Sequence, residues 1–355
     1  MPSIMFNIVS STSKLNLFQY IILLGCVIYI IDYVSYRNTR VQWYKDQFVK
    51  LTLNATAMPM SYHRLLIHEE GKDIRSLYYR DVTTYRNSSY PFISGDTFRA
   101  LSDHVYDELR RDKLDKVSHG DIVFLKGDML HKFFSGPYLL INNSFVLVSH
   151  NSDRSAPNMF KGILNDDRVI AWYASNPDLK HHKKLFPIPI GLANTQWTSG
   201  NFTAIMHAFK NYRKPWSKRS ILLYVNFSAY TNRNQRMAAL LQAKTFKNVT
   251  IIETFTSFDA YLQQLGDAKF VLSPPGNGLD THRAWEALLM GASPVTITSE
   301  LDSLFNKTTA TILPEWKNLT EKFLLSRNLA SYDNLMPTVL YARYWREKLR
   351  KYRSK

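Results

Sequence analysis

The sequence has 355 residues and only one cysteine, Cys26. This residue lies inside an apolar stretch near the N terminus, so the rest of the chain cannot form an internal disulfide. The shortage excludes a fold held together by disulfide bonds. It suits a reducing compartment, although it does not exclude the secretory lumen.

The chain also lacks internal repeats and low-complexity tracts. Its apolar content of 45% and aromatic content of 14% are typical of a globular protein rather than a disordered one. The length is sufficient for two domains, each with a core of its own.

Acidic residues are few, with 29 Asp and Glu against 45 Lys and Arg, and the net charge is +16. Part of the excess lies in residues 210–219 and 341–355. A basic surface attracts nucleic acid, anionic lipid, nucleotide-sugars or sulfated glycans. The alternative is a solvated helix face at 341–355 and a linker at 210–219, and charge alone does not decide between the two.

Residues 15–34 form an almost uncharged apolar run, and about 17–20 such residues are enough to span a bilayer. A cleaved signal peptide is the rival interpretation, but no small-x-small site follows and bulky Tyr29 and Ile30 stand where cleavage would occur. We therefore predict a cytosolic tail at 1–14, a transmembrane anchor at 15–36 and a stem at 37–75.

Two signals disagree on the side of the membrane that holds the domain after the anchor. Lys14 precedes the span, whereas Arg37, Arg40 and Lys45 follow it, which favours a cytosolic domain. Eight Asn-x-Ser/Thr sequons, where chance would give about three, favour the lumen instead. We follow the sequons, which begin at Asn54, Asn87, Asn142, Asn201, Asn226, Asn248, Asn306 and Asn318.

Apolar strand patterns alternate with helical patterns in two series. The first predicts strands at 121–127, 138–143, 145–150 and 168–176, a helix at 97–113 and an extended segment at 184–192. The second, after residue 219, predicts four strands alternating with three helices, and a further helix is expected within 337–355. Such alternation indicates parallel sheets covered on both faces. The fold class is therefore α/β, with Rossmann-like domains at 76–209 and 210–355 facing each other across a cleft.

The segment 271–295, VLSPPGNGLDTHRAWEALLMGASPV, places a turn between a buried strand and a helix. Its prolines end the strand, while Gly276 and Gly278 allow close approach to the backbone. Asp280 or Thr281 can cap the helix, whose N terminus suits a phosphate.

On that helix Arg283 and Glu286 are three residues apart and share a face. The guanidinium suits a diphosphate, and the carboxylate one turn later can accept hydrogen bonds from the hydroxyls of a ribose. The alternative is an ordinary Arg–Glu pair on a solvated helix face.

The same segment resembles the nucleotide-sugar region of exostosin-like glycosyltransferases, family 47. Residues 301–316, 145–158 and 171–197 are similar to further blocks of a divergent branch of this family, so the likeness covers about 120–316. The resemblance implies a GT-B fold with the active site between the two domains, no bound metal and a type II membrane topology.

By this resemblance, Glu286 holds the ribose, Arg283 lies at the diphosphate, and Arg233 or Arg236 supplies a second cation. Asn226, at a strand end, faces the ligand. The turn beneath the nucleotide-sugar consists of Ser273, Gly276, Asn277, Gly278 and Asp280.

An inverting sugar transfer requires a general base on the acceptor side. Asp153 and His150, at the end of a first-domain strand, are both candidates; the alternative is that the segment only shapes a turn. Asn151, Asn194 and Trp197 are expected to line the acceptor side. The adjacent histidines His181 and His182 have no third ligand at a useful spacing, so we predict no metal site and no cofactor.

The predicted function is a membrane-anchored glycosyltransferase of the Golgi or endoplasmic reticulum. It would transfer a sugar from a nucleotide-sugar, most simply UDP-linked, to a glycan or glycoprotein, with inversion and without a nucleic-acid partner. The alternative is a noncatalytic, basic, membrane-tethered module that binds polyanionic glycans.

Overall fold

The computed structural model describes residues 57–59, 86–254 and 256–353. The predicted tail, the anchor, Asn54 and almost all of the stem lie outside this range. Among the described residues, no helix combines the length and the apolar character needed to cross a bilayer. The segment Ala57–Pro59 pairs antiparallel with Leu335–Pro337.

The first lobe contains a five-stranded parallel sheet whose strands lie side by side in chain order. Strands β2 and β3 are buried over nearly their whole length, as their continuous apolar sequence predicts. The strands are β1 (His104–Tyr106), β2 (Ile122–Lys126), β3 (Phe145–His150), β4 (Val169–Ala174) and β5 (Leu185–Pro187).

Helices cover both faces of this sheet. On one face, Val123 and Leu125 of β2 pack with Phe133 of helix α2 (Leu130–Phe134). Helix α1 (Gly95–Leu101) packs against β2 and β3. This arrangement follows from the two-residue period of a strand, which sends alternate side chains to opposite faces.

The second lobe contains another five-stranded parallel sheet, in the order β10-β9-β8-β6-β7. The chain order reverses between β6 and β8, and doubly wound sheets bind ligands at such a switch point. Its elements are α3 (Phe202–Asn211), β6 (Ile221–Val225), α4 (Arg233–Ala243), β7 (Val249–Ile251), α5 (Phe258–Asp267), β8 (Ala268–Leu272), α6 (His282–Leu289), β9 (Ser293–Ile297), α7 (Asp302–Phe305), β10 (Thr311–Leu313) and α8 (Glu321–Ser326).

The last helix, α9 (Ala342–Arg350), returns to the first lobe. Trp345 is 1% exposed and its ring centroid lies 5.6 Å from that of Phe98 in α1. Just before the helix, the Leu340 carbonyl accepts a hydrogen bond from the Ile93 amide at 2.9 Å. The terminal segment therefore completes the core of the lobe that begins the fold.

The helix predicted at 97–113 is wrong beyond Leu101. Ser102 Oγ donates to the Phe98 carbonyl at 2.9 Å, the backbone turns extended at Ser102, and β1 follows. Asp107 Oδ1 then accepts from the amides of Leu109 and Arg110, which forms a turn. The helical spacing of apolar residues placed Leu109 on a buried helix face, but Leu109 is 51% exposed.

The strand predicted at 138–143 is also wrong, because Pro137–Leu140 is a 3₁₀ helix. Tyr138 and Ile141 are buried three residues apart, as on a helical turn, while Leu139 and Leu140 face solvent. Other 3₁₀ segments are Leu114–Lys116, Gly127–Met129, Asn158–Asn165, Thr198–Gly200, Trp216–Lys218, Trp316–Asn318, Ala330–Tyr332 and Thr338–Leu340.

Candidate active site between the two lobes

The glycine turn predicted from the sequence follows β8 at the switch point of the second sheet. The Gly276 amide donates to the Gly278 carbonyl at 3.0 Å, which closes the turn. A Cβ on Gly276 would lie 2.8 Å from Arg236 Nη2, and one on Gly278 would lie 2.9 Å from the Asn176 amide of the first lobe. A side chain at either position would therefore have to displace a side chain that packs against the turn, Arg236 of the second lobe or Asn176 of the first.

Two arginines tie together the loops that follow β6 and β8. Arg236 Nε donates to the Pro275 carbonyl and Arg283 Nε donates to the Asn226 carbonyl, each at 3.0 Å. Both guanidiniums lie over the ring of Phe227, at 5.6 and 5.4 Å from its centroid. The two positive charges thus converge at the place where the chain order reverses.

The positive charge of this pair is only partly compensated, since the Glu286 carboxylate lies close enough for Arg283 to offset part of the rise that burial causes in its pKa. Among the described residues of 86–254 and 256–353, neither guanidinium has a carboxylate at ion-pair distance, and Arg283 Nη1 is buried without a hydrogen-bond partner. Burial, together with the charge of Arg283, lowers the pKa of Arg236 to about 10. An anion bound here would satisfy the unpaired donor and relieve the repulsion between the two cations.

Glu286 lies one turn beyond Arg283 on α6 and is 4% exposed. The Tyr261 hydroxyl donates to Glu286 Oε2 at 2.7 Å, and within the described part of the chain Oε1 has no hydrogen bond. Burial raises the pKa of Glu286 and that of Tyr261. The carboxylate is thus oriented by one protein donor and retains one oxygen for another donor.

The sequence left Arg233 and Arg236 as alternatives for the second cation at the diphosphate, and their positions in the structure differ. Arg233 is exposed at the start of α4, whereas Arg236 is 7% exposed and contacts the glycine turn. Asn226 contributes its carbonyl to Arg283, while its side-chain amide donates to the Tyr224 hydroxyl at 2.8 Å.

The other predicted turn residues differ in their surroundings. Ser273 Oγ donates to the carbonyl of Val271 in its own strand, whereas Asn277 is exposed at the tip of the turn. Thr281 occupies the N-cap position of α6, but its side chain makes no capping bond, so the predicted side-chain cap is wrong.

The Asp280 carboxylate joins the two lobes. Its Oδ2 accepts from the Ile190 amide at 2.8 Å and from Trp285 Nε1 at 2.7 Å, and Oδ1 accepts from the Thr281 amide. Burial raises the pKa of Asp280 to about 7. Its hydrogen-bond partners are protein groups, which indicates a structural role beneath the turn rather than direct contact with a nucleotide-sugar.

A cleft of about 440 Å³ lies next to this turn, within the range of small-molecule sites. His282 of α6 lines it from the second lobe, whereas the rest of the lining comes from the first lobe. The structure brings together here the five predicted first-lobe residues His150, Asn151, Asp153, Asn194 and Trp197.

The two candidate bases differ in accessibility. Asp153 is exposed in the cleft, whereas His150 is 2% exposed. His150 Nδ1 accepts from the Asn151 amide at 2.7 Å, so Nε2 carries the proton and donates to the Pro189 carbonyl at 3.1 Å. Burial lowers the pKa of His150 to about 4. Both ring nitrogens are therefore occupied, and this geometry favours Asp153.

A buried network beneath the cleft was not predicted from the sequence. Asn151 Nδ2 donates to Asp96 Oδ1 at 3.0 Å, and Asn194 Nδ2 donates to Asn151 Oδ1 at 2.9 Å. Asn194 Oδ1 accepts from the Asp96 amide at 2.8 Å. Burial raises the pKa of Asp96, which lies in the first turn of α1. The network fixes the loop that carries Asp153.

The cations of the cleft are paired, unlike those of the second-lobe turn. Lys126 lies 3.3 Å from Glu108 and 3.8 Å from Asp128. Arg86 pairs with Asp96 at 3.4 Å and also with Glu108. The cleft therefore offers little free positive charge to a ligand. Among the described residues, no three His, Cys, Asp or Glu side chains converge as a metal site would require.

The sequon asparagines of the described range divide by exposure. Asn226 is half-buried at the second-lobe site, and its predicted contact with the ligand stays a prediction. The other six are exposed and accessible to modification: Asn87, Asn142, Asn201, Asn248, Asn306 and Asn318.

Comparison with known proteins identifies no family. No family model matches the chain, and no curated protein matches it in sequence. One solved structure, described by its title as the crystal structure of the GtfA/B complex, is similar at a TM-score of 0.36 and 12% identity. The match covers 68% of this chain and 59% of that chain, which is less than two thirds of its length. At this level the likeness carries no argument, and the exostosin-like resemblance stays a prediction.

Proposed function

We propose that this chain is a GT-B-type glycosyltransferase that transfers a sugar from a nucleotide-sugar, UDP-linked in the simplest case, to a glycan or glycoprotein. The observation that supports this function is the pair Arg236 and Arg283, which makes no ion pair at contact distance among the described residues and leaves Arg283 Nη1 without a hydrogen-bond partner. The pair lies at the switch point of a doubly wound sheet, beside a glycine turn and the N terminus of an eight-residue helix. These features together suit a diphosphate attached to a nucleoside.

In this proposal the donor lies along α6. Arg236, Arg283 and the backbone of the glycine turn hold the diphosphate, and Glu286 Oε1 accepts from a ribose hydroxyl. When the bond between the anomeric carbon and the diphosphate breaks, the two guanidiniums stabilise the charge on the leaving group. Because they supply this charge, we propose that the reaction needs no metal.

The acceptor occupies the neighbouring cleft. An acceptor hydroxyl forms the new bond to the anomeric carbon from the face opposite the diphosphate, and Asp153 takes its proton. Configuration at that carbon inverts. Trp197, which is 64% exposed, presents a flat apolar face to a sugar ring. The paired cations of the cleft favour a neutral acceptor over the polyanionic glycan of the alternative function.

A ligand-binding experiment tests the donor site. We expect UDP to raise the unfolding temperature of the purified full-length chain, with a stabilisation of about 2.7 kcal/mol at a hundred times the dissociation constant. Arg236→Gln and Arg283→Gln should each abolish this protection. Arg233→Gln, the same substitution at an exposed position of α4, serves as the control and should retain it. Protection that survives both site substitutions would refute the assignment.

We further propose that residues 15–36 anchor the chain with its catalytic domain in the lumen of the Golgi or endoplasmic reticulum. The support is the sequon excess together with the exposure of six sequon asparagines. Protein expressed in eukaryotic cells should migrate faster on a gel after endoglycosidase treatment. Unchanged mobility would contradict the lumenal placement.

A further inference from the structure

A buried asparagine connects the two lobes. It contacts the glycine turn (residues 274–280) of the second lobe and the loop of the first lobe that carries Asp153 (residues 150–156), here called the base-bearing loop. Asn176 follows β4 and is 3% exposed. Its Oδ1 accepts from the Asp280 amide at 3.1 Å, and its Nδ2 donates to the Ser152 carbonyl at 2.9 Å. Ser152 is the residue before Asp153, so one carboxamide contacts both halves of the proposed site.

The backbone of Asn176 is itself fixed. Its carbonyl accepts from the Ala156 amide at 2.9 Å, which ties it to the end of the base-bearing loop. Its carboxamide packs so closely on Gly278 that a Cβ there would lie 2.9 Å from Nδ2. A shift of the glycine turn must therefore displace this side chain, since close-packed groups transmit displacements instead of absorbing them.

A second connection runs parallel to the first, through residues 189–191. The Ile190 amide donates to Asp280 Oδ2, and the Gly191 carbonyl lies 2.8 Å from Nδ1 of His282 in α6. On the other side of the same segment, the Pro189 carbonyl accepts from His150 Nε2. The segment thus links the start of α6 to the residue that begins the base-bearing loop.

We infer that Asn176 is a positioning residue that couples occupancy of the donor turn to the placement of Asp153. This inference rests on the proposed function. When a diphosphate binds to residues 276–283, Asp280 and Gly278 shift, and the contacts of Asn176 transmit this shift to Ser152. The base then reaches its working position once the donor is bound, so the donor binds before the acceptor.

A carboxamide satisfies both neighbours, because one end accepts from an amide and the other donates to a carbonyl, whereas an ionised carboxylate can only accept. Asn176→Asp keeps the shape and the acceptor but directs a carboxylate oxygen at the Ser152 carbonyl. Asn143→Asp is the matched control: Asn143 donates to the Val117 carbonyl at 3.0 Å in another loop of the first lobe.

Hydrogen exchange with UDP as the probe tests the coupling. In the full-length wild type and in Asn143→Asp, we expect UDP to slow amide exchange in residues 150–155 as well as in 274–283, by about threefold or more. In Asn176→Asp, the slowing at 274–283 should persist at a saturating UDP concentration, while that at 150–155 is lost. A purely structural role would change the exchange rates without removing the response to UDP.

The outcomes separate the two proposals. If UDP does not bind the wild type at all, the proposed function fails. If UDP binds and protects 274–283 but leaves 150–155 unchanged in the wild type, the coupling is refuted, and this result does not depend on whether the variant folds. A response at 150–155 that survives in Asn176→Asp would also refute it.

Discussion

Arginines in the two halves of the site have opposite surroundings. Arg86 in the cleft pairs with carboxylates, whereas in the described part of the chain Arg236 and Arg283 at the turn donate to backbone carbonyls and lie over the ring of Phe227. Because an unpaired buried charge is costly, the buried Arg236 and the half-buried Arg283 beside it would gain from a bound anion. Residue chemistry thus distinguishes the donor half of the site from the acceptor half.

The same reasoning predicts the effect of removing the base. Asp153→Asn leaves an amide that cannot take a proton, so the transfer rate should fall by about 10²–10⁴-fold. Protection by UDP should be unchanged, since Asp153 lies in the cleft and makes no contact with the arginine pair. The measurement is the release of UDP across a panel of nucleotide-sugars and neutral glycan acceptors.

Asp167→Asn is the control, because Asp167 is an exposed carboxylate of the first lobe that does not line the cleft. It should retain activity within a few-fold of the wild type. If Asp153→Asn also retained full activity, another group would have to be the base.

At the scale of elements, helix α1 and the loop after β3 depend on one glycine. A Cβ on Gly95 would lie 1.7 Å from Asn151 Oδ1, so the helix and the network can touch only without a side chain there. Asn151 itself has a φ of 55°, which asparagine tolerates better than most residues. The close approach places Asp96 beneath the cleft.

Gly95→Ala should therefore push Asn151 away and lower the free energy of unfolding by about 1–3 kcal/mol. Transfer activity should fall as well, because the loop that carries Asp153 moves. Gly162→Ala is the control, since a Cβ there meets nothing within 4 Å. Urea unfolding of both variants measures the difference, and equal stabilities would contradict the argument.

Helices and strands were predicted well from the sequence where a single apolar pattern, bounded by turns, determined each of them. The predicted strands and helices of the second lobe from β6 to β9 are all present, because each apolar run is bounded by a turn. The predicted helix 97–113 was wrong because Asp107 forms a turn that apolar spacing does not reveal. Likewise, the turn after β8 could be predicted from one short segment. The Asp96–Asn151–Asn194 network could not be predicted, because it joins residues that are far apart in the chain.

At the scale of the whole molecule, the lobes meet at a buried carboxylic acid. Asp280 has a pKa of about 7 in the folded protein against an ordinary value of 3.8. Between these values the folded state binds a proton that the unfolded state releases. The stabilisation from this residue is therefore complete below pH 4 and is lost as the pH rises through 7.

Asp280→Asn removes this pH dependence. We expect the variant to lose most stability near pH 4.5, and its deficit relative to the wild type to shrink by about 3 kcal/mol at pH 8. His150, whose pKa is lowered, acts in the opposite direction in both proteins and cancels in the comparison. Urea unfolding at several pH values gives the difference, and a constant deficit would contradict the prediction.

The return of α9 to the first lobe has a consequence for synthesis in the cell. Trp345 and Leu349 fill the core beside α1, yet the ribosome adds them some 250 residues after Phe98. At about 5–20 residues per second, the apolar surface that they cover stays open for many seconds. The lobe made first is thus completed last, and its apolar surface beside α1 is covered only after the second lobe has been synthesised.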